Sequence, residues 1–115
     1  MKSYNIKNYI RYKNDLEQAM KRIPKKEWCD YTREELIVKF MPLVENIARK
    51  FPTSQQATGV MSINDLIQSG NFGLIKAVER LDRETLKDSE DQEKTLKSFL
   101  SKRIKGAIRR QIDIN

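Results

Sequence analysis

Histidine is absent from the 115 residues, and the chain has a single cysteine, Cys29. The absence of histidine excludes Ser–His and Cys–His dyads, acid–base catalysis by histidine, and zinc sites that need it as a ligand. One cysteine cannot form an internal disulfide, and it fits a reducing compartment. We therefore predict that the protein is not an enzyme and that it binds no metal or other cofactor.

Long apolar runs are also missing. No stretch approaches the roughly 20 residues of a membrane helix, and no apolar segment follows Lys2 to form a signal peptide. Only four glycines and three prolines interrupt the chain, and no alternation of apolar and polar residues predicts strands. The sequence therefore predicts a small all-α protein of the cytoplasm.

Basic residues outnumber acidic ones by 23 to 16, which gives a net charge of +7. The charge is unevenly distributed along the chain. Residues 61–95 hold five basic and eight acidic side chains, whereas residues 96–115 hold six basic and one acidic. A basic segment that follows an acidic one indicates a polyanionic partner.

Apolar residues recur at spacings of three and four, which predicts a compact bundle of about four helices. The first helix is expected from about Tyr4 to Arg22. The second is expected to begin at Thr32, which together with Glu35 fits a capping box. Because Pro42 lies inside this segment, we expect either a kink or two helices that meet there.

A polar loop is expected over residues 52–61, before a third helix capped by Ser62. Gly70 and Gly73 lie inside that helix, where each costs roughly 1 kcal/mol relative to alanine. We therefore expect a neighbouring backbone to approach it closely. The acidic connector at residues 82–95 lacks the glycine turn and ligand spacing of a calcium loop, so we expect it to be solvated and mobile.

The fourth helix is expected from near Lys94 to the end of the chain. One arc of this helix is apolar, and the opposite arc is basic around one aromatic ring, as in a nucleic-acid-binding helix. From charge alone, a solvated basic face on an ordinary bundle explains the arc equally well. The candidate DNA-binding residues on this arc are Phe99, Lys102, Arg103, Lys105, Gly106, Arg109 and Arg110.

Residues 65–71 read DLIQSGN, and with the flanking helices this string resembles region two of bacterial sigma factors. The resemblance covers about residues 33–115. It implies an N-terminal helix and linker at residues 1–31, followed by a region-two-like domain at residues 32–115. It also implies a transcription initiation factor that binds core RNA polymerase and promoter DNA.

In sigma factors, the third helix of this region docks on a coiled coil of the largest polymerase subunit, and the fourth contacts the promoter −10 element. By resemblance, Phe99 is the aromatic residue that captures a flipped base. The core-polymerase contacts that the resemblance implies are Asp65, Gln68, Ser69, Asn71 and Ile75.

The chain departs from housekeeping sigma factors at Lys102 and Arg103, where those proteins carry a tryptophan pair. Its acidic connector is longer than usual, and nothing resembles the region that reads the −35 element. The chain is thus most similar to the minimal late-transcription sigma factors of T-even-type phages. That similarity implies recognition of a −10-like element in a bacterial host, with a phage coactivator or sliding clamp as a further candidate partner.

Two other functions fit the same residues. A polymerase-appropriating protein would use the third helix to bind core polymerase without reading DNA. An unrelated helical DNA-binding module would carry the sigma-like string by chance.

Overall fold

The computed structural model describes residues 6–51 and 62–114. The predicted loop at residues 52–61 and the predicted helix start at Tyr4 lie outside the described residues. Within the described ranges the chain forms five α-helices, one short 3-10 helix at Trp28–Asp30, and no strands. The all-α prediction is therefore confirmed. The helices are α1 (Ile6–Lys21), α2 (Arg33–Ala48), α3 (Ile63–Glu79), α4 (Arg83–Lys87) and α5 (Gln92–Ile114).

Capping boxes fix the first turns of α2 and α3. The Thr32 hydroxyl accepts the backbone N–H of Glu35 at 3.1 Å, and the Glu35 carboxylate accepts the backbone N–H of Thr32 at 2.8 Å. Ser62 and Asp65 make the same reciprocal pair at 3.2 and 3.3 Å. Each box satisfies two N–H groups that the helix leaves unpaired. Both predicted caps are confirmed.

Pro42 does not divide the second helix. α2 runs unbroken from Arg33 to Ala48 with this proline inside it, so the alternative of two helices meeting near Met41 is wrong. Proline removes one backbone hydrogen bond from a helix. The apolar face that α2 buries, including Phe40 and Val44, provides packing that offsets this loss.

The core lies between α2, α3 and α5. Gly70 and Gly73 are buried on α3, and a Cβ at Gly70 would lie only 2.6 Å from a methyl group of Val44. A Cβ at Gly73 would lie 2.6 Å from the Ala107 Cβ and 3.2 Å from the Arg103 carbonyl oxygen. The predicted close approach of a neighbouring backbone is confirmed at Gly73, where that backbone is α5, whereas Gly70 packs against side chains of α2 and α5. The fully buried side chains of these three helices include Leu36, Val44, Leu66, Leu74, Leu96, Leu100, Ile104 and Ile108.

The acidic connector is solvated, as expected, since Asp88, Glu90, Asp91 and Glu93 are all exposed, but it contains a short packed helix and is not simply a mobile link. Asp82 caps α4 by accepting the backbone N–H groups of Glu84 and Thr85. Leu86, only 2% exposed, joins the core. α5 then begins at Gln92, slightly before the predicted start near Lys94.

The segment between α1 and α2 contacts α4 and α5 and holds them against the rest of the bundle. The Trp28 ring lies 5.3 Å from that of Tyr31 and 5.4 Å from that of Phe40, measured between centroids. The Arg83 guanidinium donates to the carbonyl oxygens of Cys29 and Tyr31. The Cys29 backbone N–H donates to the Gln92 side chain at 3.2 Å. This linker therefore positions the start of α5.

Candidate nucleic-acid interface

The exposed face of α5 carries the predicted basic arc. Leu100, Ile104 and Ile108 are fully buried along one side of this helix. The five cations of the predicted DNA-binding set, which are Lys102, Arg103, Lys105, Arg109 and Arg110, are all exposed. The helix thus separates a core side from a cationic side, as the sequence pattern predicted.

Phe99 lies at the border between these two sides. It is partly buried and packs against the core cluster, so it is neither opposite the core, as we expected from the sequence, nor inside it. The Arg103 guanidinium carbon lies 4.5 Å from the centroid of the Phe99 ring, a cation–π contact. One part of the ring is therefore anchored, while the remainder is accessible beside a cation.

A groove of about 680 Å³ lies between α3 and α5, and Phe99 is part of its wall. The close contact of the two helices at Gly73 forms its floor, since Gly73 and Ala107 are both among the lining residues. α5 contributes Ser98, Phe99, Lys102, Arg103, Gly106 and Arg110 to the wall, and α3 contributes Phe72, Lys76, Ala77 and Arg80. The described lining residues include no carboxylate, so the groove is suited to an anion.

The sequence analysis missed the contribution of α3 to this groove. Phe72, Lys76 and Arg80 recur at every fourth residue, so they share one face of the helix. The sequence shows this spacing, but it does not show that α5 packs beside this face of α3. Phe72 is 59% exposed, and the Lys76 ammonium lies 4.7 Å from its ring centroid.

The predicted polymerase-binding residues of α3 differ in their exposure. Asp65 and Gln68 are exposed, whereas Ser69, Asn71 and Ile75 are partly buried. The Asn71 Oδ1 atom is buried with no hydrogen-bond partner among the described residues. Asp65 and Gln68 are therefore the most accessible members of the predicted set.

Ion pairs link neighbouring helices of the bundle. Arg33 pairs with Glu79 of α3 at 2.9 Å, and the hydrogen bond to this carboxylate raises the pKa of Arg33. Glu45 is 7% exposed and accepts hydrogen bonds from Lys13 at 3.0 Å and Arg49 at 2.9 Å. The Lys13 pair connects α1 to α2, whereas the Arg49 pair lies within the last turn of α2, and none of the three residues lines the groove.

A helical bundle with a basic groove that contains aromatic side chains is typical of nucleic-acid-binding domains. The family model for Sigma-70 region 2 matches residues 36–113, and the chain belongs to this family. The match contains every predicted site residue and excludes α1 and the linker after it. Searches of curated proteins and of solved structures found no match.

Membership of this family indicates a sigma-factor-like role in transcription initiation. The family is a non-enzymatic transcription-factor domain, and it implies association with core RNA polymerase and promoter DNA. None of the described helices combines the length and apolar character needed to cross a bilayer.

Proposed function

We propose that this protein is a phage late-type sigma factor, which binds the core RNA polymerase of a bacterial host and directs it to a −10-like promoter element. The observation that carries the proposal is the basic groove between α3 and α5, with Phe99 in its wall, inside a Sigma-70 region 2 domain. Residues 32–115 constitute the polymerase- and promoter-binding unit, with residues 1–31 as its N-terminal helix and linker.

The exposed face of α3 is the proposed surface for core polymerase. Asp65 and Gln68 extend into solvent from the first two turns, where the partial positive charge of the helix end also favours a carboxylate. They bind the coiled coil of the largest polymerase subunit. Ser69, Asn71 and Ile75 contribute at the edges of this contact.

The groove and the adjoining cations of α5 are the proposed DNA surface. Lys102, Lys105 and Arg109 contact phosphates, which supplies affinity without sequence information. Phe99 stacks on an unpaired base of the −10-like element. Gly106 carries no side chain and has open space around it, so DNA can approach the helix backbone there. Arg103 and Arg110 complete the contact.

Lys102 and Arg103, which stand where housekeeping sigma factors have a tryptophan pair, are among the departures that support the late-type assignment. Two cations hold phosphates but provide less stacking area than two indole rings. Promoter opening then depends on other rings and on partners. A phage coactivator or a sliding clamp is the proposed source of that help.

Transcription by bacterial core polymerase on a promoter library, with and without this protein, tests the proposal. We expect new start sites downstream of a shared AT-rich element that appears only when the protein is present. Stable binding to core polymerase without new start sites would instead support a polymerase-appropriating protein. If the protein neither binds core polymerase from a sensitive host nor produces new start sites with it, the proposal is overturned.

A further inference from the structure

The first turn of α5 is held from outside the helix by the linker between α1 and α2. The backbone N–H of Cys29 donates to the Gln92 Oε1 atom at 3.2 Å. The linker is itself fixed, because the Arg83 guanidinium donates to the carbonyl oxygens of Cys29 and Tyr31, and Tyr31 is buried in the core. The linker thus gives α5 a point of attachment that the helix does not supply by itself.

Gln92 lies on the same side of α5 as two residues of the groove wall. Phe99 follows it by seven positions and Arg103 by eleven, and both spacings return a helix to nearly the same face. Asp91 also accepts the backbone N–H of Lys94 at 3.1 Å, but a cap made by the helix itself does not determine how the helix is rotated against its neighbours. The hydrogen bond at Gln92 restricts that rotation, because its donor belongs to another segment of the bundle.

Phe99 lies between two attachment points of α5. The first is Gln92 in the first turn, and the second is the close contact with α3, where a Cβ at Gly73 would meet the Ala107 Cβ. Phe99 is only partly buried, at the border between the core and the groove. A rotation of the first half of α5 would therefore move the Phe99 ring either into the core or away from the groove.

We propose that Gln92 is a positioning residue for promoter binding. Its hydrogen bond to the linker sets the rotation of α5 at which Phe99 lies in the groove wall, so the DNA-binding unit begins before the family match at residues 36–113. Arg83 and Gln92 both belong to the acidic connector, in which this chain departs from housekeeping sigma factors. This inference rests on the proposed function, because the ligand that Phe99 meets is promoter DNA.

The experiment measures the affinity of the holoenzyme for an AT-rich promoter duplex. Gln92→Leu keeps the size of the side chain but removes the acceptor, and we expect about five-fold weaker binding, which corresponds to one hydrogen bond. Gln92→Glu keeps an acceptor, so we expect binding within about two-fold of the wild type. The added negative charge acts against DNA binding, so charge does not explain that recovery. Gln18 is exposed on α1, and Gln18→Leu is the control, with no expected change.

Two further measurements separate positioning from a general loss of stability. Affinity for core polymerase should change by less than about two-fold in Gln92→Leu, because the proposed polymerase contacts lie on α3. In a Phe99→Ala background, Gln92→Leu should weaken DNA binding by less than about two-fold, because the ring that Gln92 positions is gone. An equal loss in both backgrounds, or a parallel loss of polymerase affinity, would mean that Gln92 only supports the fold, and the inference would be overturned.

The remaining outcomes distinguish the inference from the proposed function. If Gln92→Leu binds the duplex as the wild type does, and the wild-type holoenzyme binds it tightly, the inference alone is overturned. If the wild-type protein associates with core polymerase but the complex does not bind the duplex, the proposed function is overturned together with the inference.

Discussion

Asp65 has two roles, because the carboxylate that is proposed to contact polymerase also closes the capping box of α3. Gln68 is exposed one turn later and has no comparable structural role in the contacts described. The two residues are therefore not equivalent probes of polymerase binding. A substitution at Asp65 changes the helix and the surface together.

Gln68→Ala is the cleaner test of the docking surface. We expect the free energy of unfolding to change by less than about 0.5 kcal/mol, with a loss of about 2 kcal/mol in affinity for core polymerase if Gln68 is a hot spot. Asp65→Ala should weaken binding too, but it should also destabilise the fold by about 1 kcal/mol through the lost cap. Affinity titration and urea unfolding of both variants provide the measurements. Unchanged affinity in Gln68→Ala would contradict the docking role of this residue.

Glu35 makes stability depend on pH. The Lys26 ammonium, at 2.8 Å, and the backbone N–H of Thr32 hold the pKa of Glu35 below its ordinary value. A carboxylate with a lowered folded-state pKa stabilises the fold above its unfolded-state pKa, and this contribution is lost as the pH falls through the folded-state value. Hydrogen bonds from Thr85 lower the pKa of Asp82 in the same direction.

Glu35→Gln should therefore reduce the acid sensitivity of the fold. Glutamine can still complete a capping box, but it cannot titrate or pair with Lys26. We expect the variant to be less stable than the wild type near neutral pH, and the difference to shrink below about pH 4. Urea unfolding at several pH values measures this. A difference that stays constant across the acid range would show that the Glu35 charge is not responsible.

Gly73 and Gly106 form a matched pair on the facing helices α3 and α5. A Cβ at Gly73 would meet the Ala107 Cβ at 2.6 Å, whereas a Cβ at Gly106 would have nothing within 4 Å. We expect Gly73→Ala to destabilise the fold by about 1–3 kcal/mol through overpacking. Gly106→Ala should stabilise it by up to about 1 kcal/mol, since alanine favours helix more than glycine does.

The two variants should also differ in DNA binding. Gly106 lines the groove, so an added methyl group there should weaken binding of promoter DNA even as the melting temperature rises. Thermal unfolding and holoenzyme–DNA affinity are measured on the same samples. Stabilisation by Gly106→Ala with unchanged DNA affinity would remove Gly106 from the proposed DNA surface.

α4 is packed against the core through Leu86. Leu86 is 2% exposed in the core, so Leu86→Ala should lower the free energy of unfolding by about 2–5 kcal/mol. The neighbouring Lys87 is exposed, and Lys87→Ala is the control, with an expected change below about 0.5 kcal/mol. Chemical denaturation of the two variants distinguishes a packed α4 from a connector that contributes little to the fold.

Local patterns in the sequence predicted the caps and the apolar stripes, because both depend on residues within one helix. The contacts between elements could not be predicted in the same way. Leu86 is a single apolar residue in an acidic segment, and the helix that carries it contacts a linker distant in sequence, through hydrogen bonds from Arg83 to Cys29 and Tyr31. Lys76 and Arg80 become groove residues only because Gly73 lets α5 approach α3.

Two explanations of DNA binding make different predictions. In one, the net charge of +7 attracts DNA. In the other, the basic side chains that line the groove do so. Each phosphate contact releases counterions, so the affinity for DNA falls with salt at a slope that counts the contacts. Charges far from the DNA contribute little, because screening extends only about 8 Å at physiological ionic strength. The two explanations therefore predict different salt slopes when basic residues are replaced inside and outside the groove.

Two double variants with the same net charge separate these alternatives. Lys102 and Arg110 line the groove, whereas Lys21 and Lys25 are exposed outside it. Replacing Lys102 and Arg110 by glutamine should reduce the salt slope of holoenzyme binding to promoter DNA by about two units. Replacing Lys21 and Lys25 by glutamine should leave the slope unchanged, although it lowers the net charge by the same amount. Equal flattening by both pairs would mean that DNA is attracted by the overall charge of the molecule, and the groove would then lose its assignment as the phosphate-binding surface.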